Sequence, residues 1–173
     1  MLYNPAIHHR RSIRMKDYDY AQSGMYFVTI CCQHWICRFG KIENGEMILN
    51  EWGQIAYNEW MKTPDIRSNI QLDAFAVMPN HIHGIIIITD VGGCRGVSHT
   101  PHDEMRQYNN LGVCDTPLRS PSNTVGASVR GYKSAVTKQI GYSVWQRNYY
   151  EHIIRNEKSH QHIANYIINN PIH

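Results

Sequence analysis

The chain has 173 residues, 42% of them hydrophobic, 10% aromatic and 18% charged, which suits one domain with its own core and excludes wholesale disorder. Seventeen Lys and Arg against fourteen Asp and Glu give a formal charge of +3, so positive charge meant for a nucleic acid must be clustered rather than general. No apolar run approaches a bilayer-spanning helix or a secretory signal, and five cysteines without a Cys-x-x-Cys pair argue against a disulfide scaffold or zinc knuckle and for a reducing cytoplasm.

Residues 1–20 begin polar and basic, with Arg10, Arg11, Arg14 and Lys16, then turn rich in Asp and Tyr. They read as a basic arm, with 21–173 as a single domain. The run 25–32 (Met-Tyr-Phe-Val-Thr-Ile-Cys-Cys) is β-branched and aromatic and predicts a buried strand. Asn44-Gly45, between 39–42 and Glu46–Leu49, signals a two-residue hairpin. Asn50 then caps a helix over Glu51–Met61, and Pro64 ends it. Over 70–78, Leu72, Ala74, Ala76 and Met78 alternate with Gln71, Asp73, Phe75 and Val77, predicting a strand with one set of residues on each face. Pro79-Asn80 interrupts it. The stretch 81–89 then resumes as a near-continuous apolar strand, the pattern of a central position in a sheet.

Residues 92–124 carry no period and are rich in Gly, Pro, Ser, Thr and Asn, which predicts a flexible insertion. Cys94, Cys114, His99 and His102 within it match no common zinc spacing. Helical spacing returns over Val125–Ile140 and stops at Gly141. Residues 144–150 read as a short strand or extended segment, and Glu157–Asn169 as a last helix before Pro171, with Ile163, Tyr166 and Ile167 near one stripe. This order predicts an α+β, ferredoxin-like (RRM-like) split βαβ sandwich, with helices on one face of a central antiparallel sheet.

The sharpest chemical feature is His81-Ile-His83 at the start of the most apolar strand. Residues i and i+2 of a strand project from one face, about 6.5–7 Å apart at Cα, so two imidazoles can converge on one metal ion. An unpaired imidazole there would be costly, which favours ligation over a wet sheet face. In the last helix, Tyr166 and Asn170 are one turn apart on the same side. Beside the histidines they could serve as nucleophile and third, oxygen-donating ligand, a set suited to Mg²⁺ or Mn²⁺ with phosphate oxygens completing the shell. Spacing alone favours Tyr166 as a core residue, since a tyrosine on a helix's apolar stripe usually packs inward.

Met78-Pro-Asn-His-Ile-His-Gly-Ile-Ile-Ile resembles the histidine motif of the single-tyrosine HUH transposases, and within them that of the REP-associated tyrosine transposases. The likeness extends to Tyr26-Phe-Val-Thr-Ile-Cys, Gly131-Tyr-Lys-Ser, Val144-Trp-Gln-Arg-Asn-Tyr-Tyr-Glu-His and Tyr166-Ile-Ile-Asn-Asn-Pro171. It implies that His81, His83 and Asn170 bind a divalent cation and that Tyr166 is the nucleophile. The implied reaction cleaves and rejoins single-stranded DNA through a 5′-phosphotyrosine, on a hairpin of the REP-palindrome kind, in the bacterial cytoplasm near the nucleoid. Two features depart from the family pattern: the insertion is long, and the chain stops at His173, where related proteins often run on.

Arg10, Arg11, Arg14, Arg130, Lys133, Arg147 and Lys158 are the candidate phosphate contacts, and Tyr149 and Tyr150 the candidate base-stacking rings, with Trp145 a third ring that reads better as core. Monomer and homodimer read alike, as does a tyrosine serving its own site or a partner's. The rival reading is a non-catalytic ferredoxin-like nucleic-acid-binding module. A two-histidine phosphodiesterase would need a second His-x-Thr/Ser element, and no convincing strand carries one.

Overall fold

A computed structural model of the chain describes Tyr18, Tyr20, residues 22–89 and residues 123–170. Arg10, Arg11 and Arg14 of the basic arm, most of the 92–124 insertion with its cysteines and histidines, and Pro171 lie outside the described residues. The elements are β1 (Gly24–Cys31), a single 3₁₀ turn (Gln33–Trp35), β2 (Gly40–Glu43), β3 (Glu46–Leu49), α1 (Glu51–Met61), α2 (Thr63–Ile66), β4 (Ile70–Val77), β5 (His81–Ile88), α3 (Val125–Ile140), β6 (Tyr150–Ile154) and α4 (Glu157–Asn169). Among the described residues no helix is long and apolar enough to cross a membrane.

The apolar strands pair into one antiparallel sheet in the order β4-β5-β1-β6, with β5 and β1 central. Leaving out the β2–β3 hairpin, that is the ferredoxin-like order. The hairpin turns at Asn44 and Gly45, which take φ of 53° and 79°, and Asn-Gly tolerates that left-handed pair best. Asn50 caps α1 as its sequence predicts, with Oδ1 accepting the Gly53 N–H at 2.9 Å. Thr124 caps α3 in the same way, accepting from Ala127 at 3.2 Å.

One face of the sheet is sealed by α1 and α3. Tyr26, Val28 and Ile30 of β1 and Ile82, Ile86 and Ile88 of β5 meet Trp60, Val129, Tyr132 and Val136 there. Trp60 stacks flat on Phe75 (4.8 Å, 6°) and meets Tyr132 edge-on (5.3 Å, 88°). Its indole also lies against β5 at Gly84, where a Cβ would sit 2.4 Å from Trp60 Cζ2. Any larger residue at that position would expel the ring.

The structure departs from the sequence expectations in four places. Helices cover both faces of the sheet, because α4 packs on the side opposite α1 and α3, over Phe27, Ile85 and Ile154. Pro64 does not simply end a helix. It sits in the first turn of α2, where its missing N–H costs nothing. The register of β4 shifts between Leu72 and Phe75, so the alternation read over 70–78 does not mark two fixed faces. Ile70, Leu72, Phe75 and Val77 all reach the α1/α3 core, while Ala74 and Ala76 turn toward α4. Lastly, most of 144–150 is extended chain with one bridge, Cys32 to Trp145, and the fourth sheet strand is β6, pairing β1 along its free edge.

Candidate active site between β5 and α4

His81 and His83 project from the α4 side of β5, as alternate strand residues must. Their Nε2 atoms lie 3.0 Å apart, with the rings at 4.5 Å and 72°. Two ring nitrogens at that distance either share a proton or face a common cation. Their other nitrogens are fixed by neighbours. The Asn80 amide donates Nδ2–H to the Trp35 carbonyl (3.2 Å), leaving its Oδ1 to accept Nδ1–H of His81 at 2.7 Å. That arrangement leaves the Nε2 lone pair of His81 free. His83 Nδ1 lies 2.8 Å from Oγ1 of Thr29, its register partner on β1. Such partners orient metal-ligating imidazoles.

His83 is 5% exposed and stacks on Phe27 at 5.4 Å. Burial, with His81 beside it, pushes its pKa down to about 3, and burial lowers that of His81 as well. Both rings are therefore held in the neutral form that can donate a lone pair.

Helix α4 supplies the phenol. Asn156 starts the helix by accepting the Ser159 N–H at 2.8 Å, and the fully buried Ile167 seats it on the sheet. Tyr166, next to Ile167, places its Oη 3.4 Å from His83 Nε2, with the ring edge-on to Phe27 (6.4 Å, 85°). It remains 50% exposed, so the hydroxyl borders both the histidines and solvent.

Asn170 follows at the C-terminal cap of α4, and no hydrogen bond joins it to either histidine. Its side-chain nitrogen is buried without a partner among the described residues, so the amide has unused hydrogen-bonding capacity one turn from the phenol. Among the described residues no group of three or more His, Cys, Asp or Glu could hold a metal. A cation at this place would have two neutral imidazoles, at most one amide, and open positions. That donor set fits Mg²⁺ or Mn²⁺ completed by phosphate oxygens, and not a closed structural site.

No protein-family model matches the chain. An uncharacterized protein of Haemophilus influenzae (strain ATCC 51907 / DSM 11121 / KW20 / Rd) is 43% identical over 175 residues, covering 98% of this chain and 92% of that protein. The chain belongs to that protein's family. Among solved structures, the REP-associated tyrosine transposase bound to a REP hairpin is similar with a TM-score of 0.57 at 22% identity, over 91% of this chain and 73% of that one. The two share a fold, the four-stranded antiparallel sheet with its helices.

The residues read from sequence as nucleic-acid contacts scatter. Arg147 is exposed beside Gln146, whose N–H bonds the Cys31 carbonyl where β1 meets His81, so it lies at the histidine end of the sheet. Lys158 is exposed in the first turn of α4, about 12 Å along the helix from Tyr166. Arg130 belongs to α3, on the opposite side of the sheet. Lys133 is a correction. Its ammonium donates to the carbonyls of Gln146, Arg147 and Asn148 at 2.8, 3.4 and 3.1 Å and holds that segment, so its donors are committed within the chain. Trp145, 3% exposed and packed on Phe39 and Tyr132, is a core residue, the reading its sequence favours over base stacking. Tyr149 bonds Glu151 at 2.7 Å, whereas Tyr150 is 48% exposed in the same cross-strand row as Thr29 and His83. Sequence reading overlooked Thr29 and Asn80 as the groups that orient the two imidazoles, although both lie within the motifs that carried the resemblance.

Proposed function

We propose that this chain is a metal-dependent tyrosine transposase of the HUH kind, a single-stranded DNA endonuclease that cleaves and rejoins through a 5′-phosphotyrosine. The observation that supports it is the convergence of Tyr166 Oη and the His81 and His83 Nε2 atoms, at 3.4 and 3.0 Å. The fold shared with a transposase bound to a REP hairpin favours a hairpin substrate of that kind.

His81 and His83 would hold Mg²⁺ or Mn²⁺, with Asn170 within the same helix turn as the nucleophile. The bound cation would supply Lewis acidity toward a scissile phosphate. The chain's own groups do the rest. Thr29 and Asn80 keep both rings turned inward, Phe27 walls the pocket, and the half-exposed Tyr166 can lose its phenolic proton to solvent. Its oxygen attacks phosphorus in line, the Oη–P bond forms as the P–O3′ bond breaks, and the departing 3′-oxygen takes a proton. The phosphodiester's energy is kept in the tyrosyl ester, so a 3′-hydroxyl can reverse the step without ATP.

Incubation with hairpin DNA carrying a single-stranded flank, with Mn²⁺, followed by a denaturing gel, tests the reading. The wild-type chain should give a covalently shifted band that Tyr166→Phe abolishes. A band that persists in Tyr166→Phe, or its absence from wild type on DNA hairpins flanking the gene, would sink it. In the latter case a non-catalytic nucleic-acid-binding module becomes the better account.

A further inference from the structure

His34 and Trp35 both adopt φ of 58°. Neither is glycine or asparagine, and a bulky residue in the left-handed region is held there only when its surroundings insist. Three contacts insist here. The Trp35 carbonyl accepts from Asn80 Nδ2, the Trp35 N–H reaches the Cys32 carbonyl at 3.3 Å, and the Gln33 N–H reaches the Val144 carbonyl at 2.8 Å. The result turns a large apolar side chain outward. Trp35 is 60% exposed, whereas Trp60 and Trp145 are buried and Trp52 is half-buried against Tyr142.

The position matters as much as the exposure. Asn80 joins Trp35 to His81 through the two ends of one amide, so the Trp35 backbone is anchored two hydrogen bonds from the candidate cation ligand. Arg38 follows three residues later, its N–H bonded to the Pro79 carbonyl at 2.7 Å. One guanidinium nitrogen bonds Tyr142 Oη at 3.2 Å, and the charged group lies over the Tyr142 ring at 5.7 Å, with its Nε buried. An exposed aromatic face and a cation thus stand three residues apart on one loop whose backbone is tied to Pro79 and Asn80, next to His81 in sequence. That pairing suits an unpaired base on the indole and its phosphate on the guanidinium.

We infer that Trp35 is the platform on which a base of single-stranded DNA stacks next to the candidate cleavage site, with Arg38 contacting the adjoining phosphate. This rests on the transposase reading above and names a substrate-positioning residue for it. Strain in the 33–35 turn is the means by which the ring is presented, since relaxed backbone would turn the side chain elsewhere.

Intrinsic fluorescence tests this, because Trp35 is the exposed indole of the four. The Tyr166→Phe chain, which cannot react, is titrated with a fifteen-nucleotide oligo-dT and with a duplex of equal length. Oligo-dT should quench emission and shield the indole from acrylamide, and the duplex should do neither. Trp35→Ala should lose the quench and bind oligo-dT about 5- to 150-fold more weakly, the range for removing one base–aromatic stack. Trp35→Phe should recover most of the affinity, and an unchanged melting temperature shows that both variants fold. In the Tyr166-intact background, Trp35→Ala should raise the DNA concentration needed for half-maximal adduct while leaving the rate at saturation intact. Unaltered oligo-dT affinity in Trp35→Ala, or adduct formation at wild-type DNA concentrations, would overturn the platform and leave the transposase reading standing. Trp35-dependent binding without any adduct from the Tyr166-intact chain would sink the transposase reading alone.

Discussion

The two faces of the sheet are built to different depths. On the α1/α3 side, fully buried aromatics and β-branched residues interlock around Trp60, and Gly84 is bare so that the indole can touch the strand. On the α4 side one helix rests on Phe27, Ile85 and Ile154 through Ile167, with Ile163 and Ala164 at the margin. His81, His83 and Tyr166 share that thinner side. A dry aromatic core supplies cohesion on one face, whereas the other is covered by a single helix that brings the Tyr166 hydroxyl to the histidines. The bulge in β4 enforces the asymmetry, sending Phe75 and Val77 to the thick side and the small Ala74 and Ala76 under α4.

Substitutions can break this contrast. Trp60→Ala should cost about 3–5 kcal/mol in urea-induced unfolding, because the cavity opens among Phe75, Tyr132 and Gly84. Activity should fall only as far as the folded fraction does. Ile167→Ala should cost less, about 2 kcal/mol, since a helix with one deep anchor can settle into the space. Adduct formation well below the melting temperature should nevertheless fall further than with Trp60→Ala, as Tyr166 loses its support. Equal effects on stability and activity for both variants would erase the distinction between the faces.

The smallest expected effect concerns the His160–Asp73 pair, which ties α4 to β4. The hydrogen bond to Asp73, with help from Glu157, raises the His160 pKa. A raised folded value means the pair stabilises below the ordinary imidazole pKa and loses that contribution as pH climbs through the elevated one. Asp73 is 37% exposed, so screening limits the gain to about 0.5 kcal/mol or less. Asp73→Asn should flatten the stability difference between about pH 5 and pH 8 by that amount, measured by urea unfolding at each pH.

Much of this was legible from local signals. Asn50 and Gly141 fix helix ends by chemistry that needs no tertiary context, and Asn44-Gly45 fixes a hairpin in the same way. The motif around His81 and His83 sat on a central strand because an unbroken apolar run has no solvent face. What escaped depended on partners far away in the chain. The β4 bulge leaves no trace in an alternation that continues across it. The strand β6 reads weakly because it is an edge, with Glu151 and His152 among its residues, whereas Trp145 just before it looks like a strand and is a plug in the core. Nothing in Gln33-His-Trp35 requires positive φ, and Lys133 looked like a phosphate contact until three carbonyls claimed it.

The irregularity in β4 has one more consequence. As an outer strand it presents an edge on which another polypeptide can pair, but an extra residue throws that edge out of step, and Gln71 and Asp73 stand exposed along it. The opposite border is only five residues long. Neither margin invites sheet-to-sheet growth, so this architecture is guarded against fibre-like self-association at both ends.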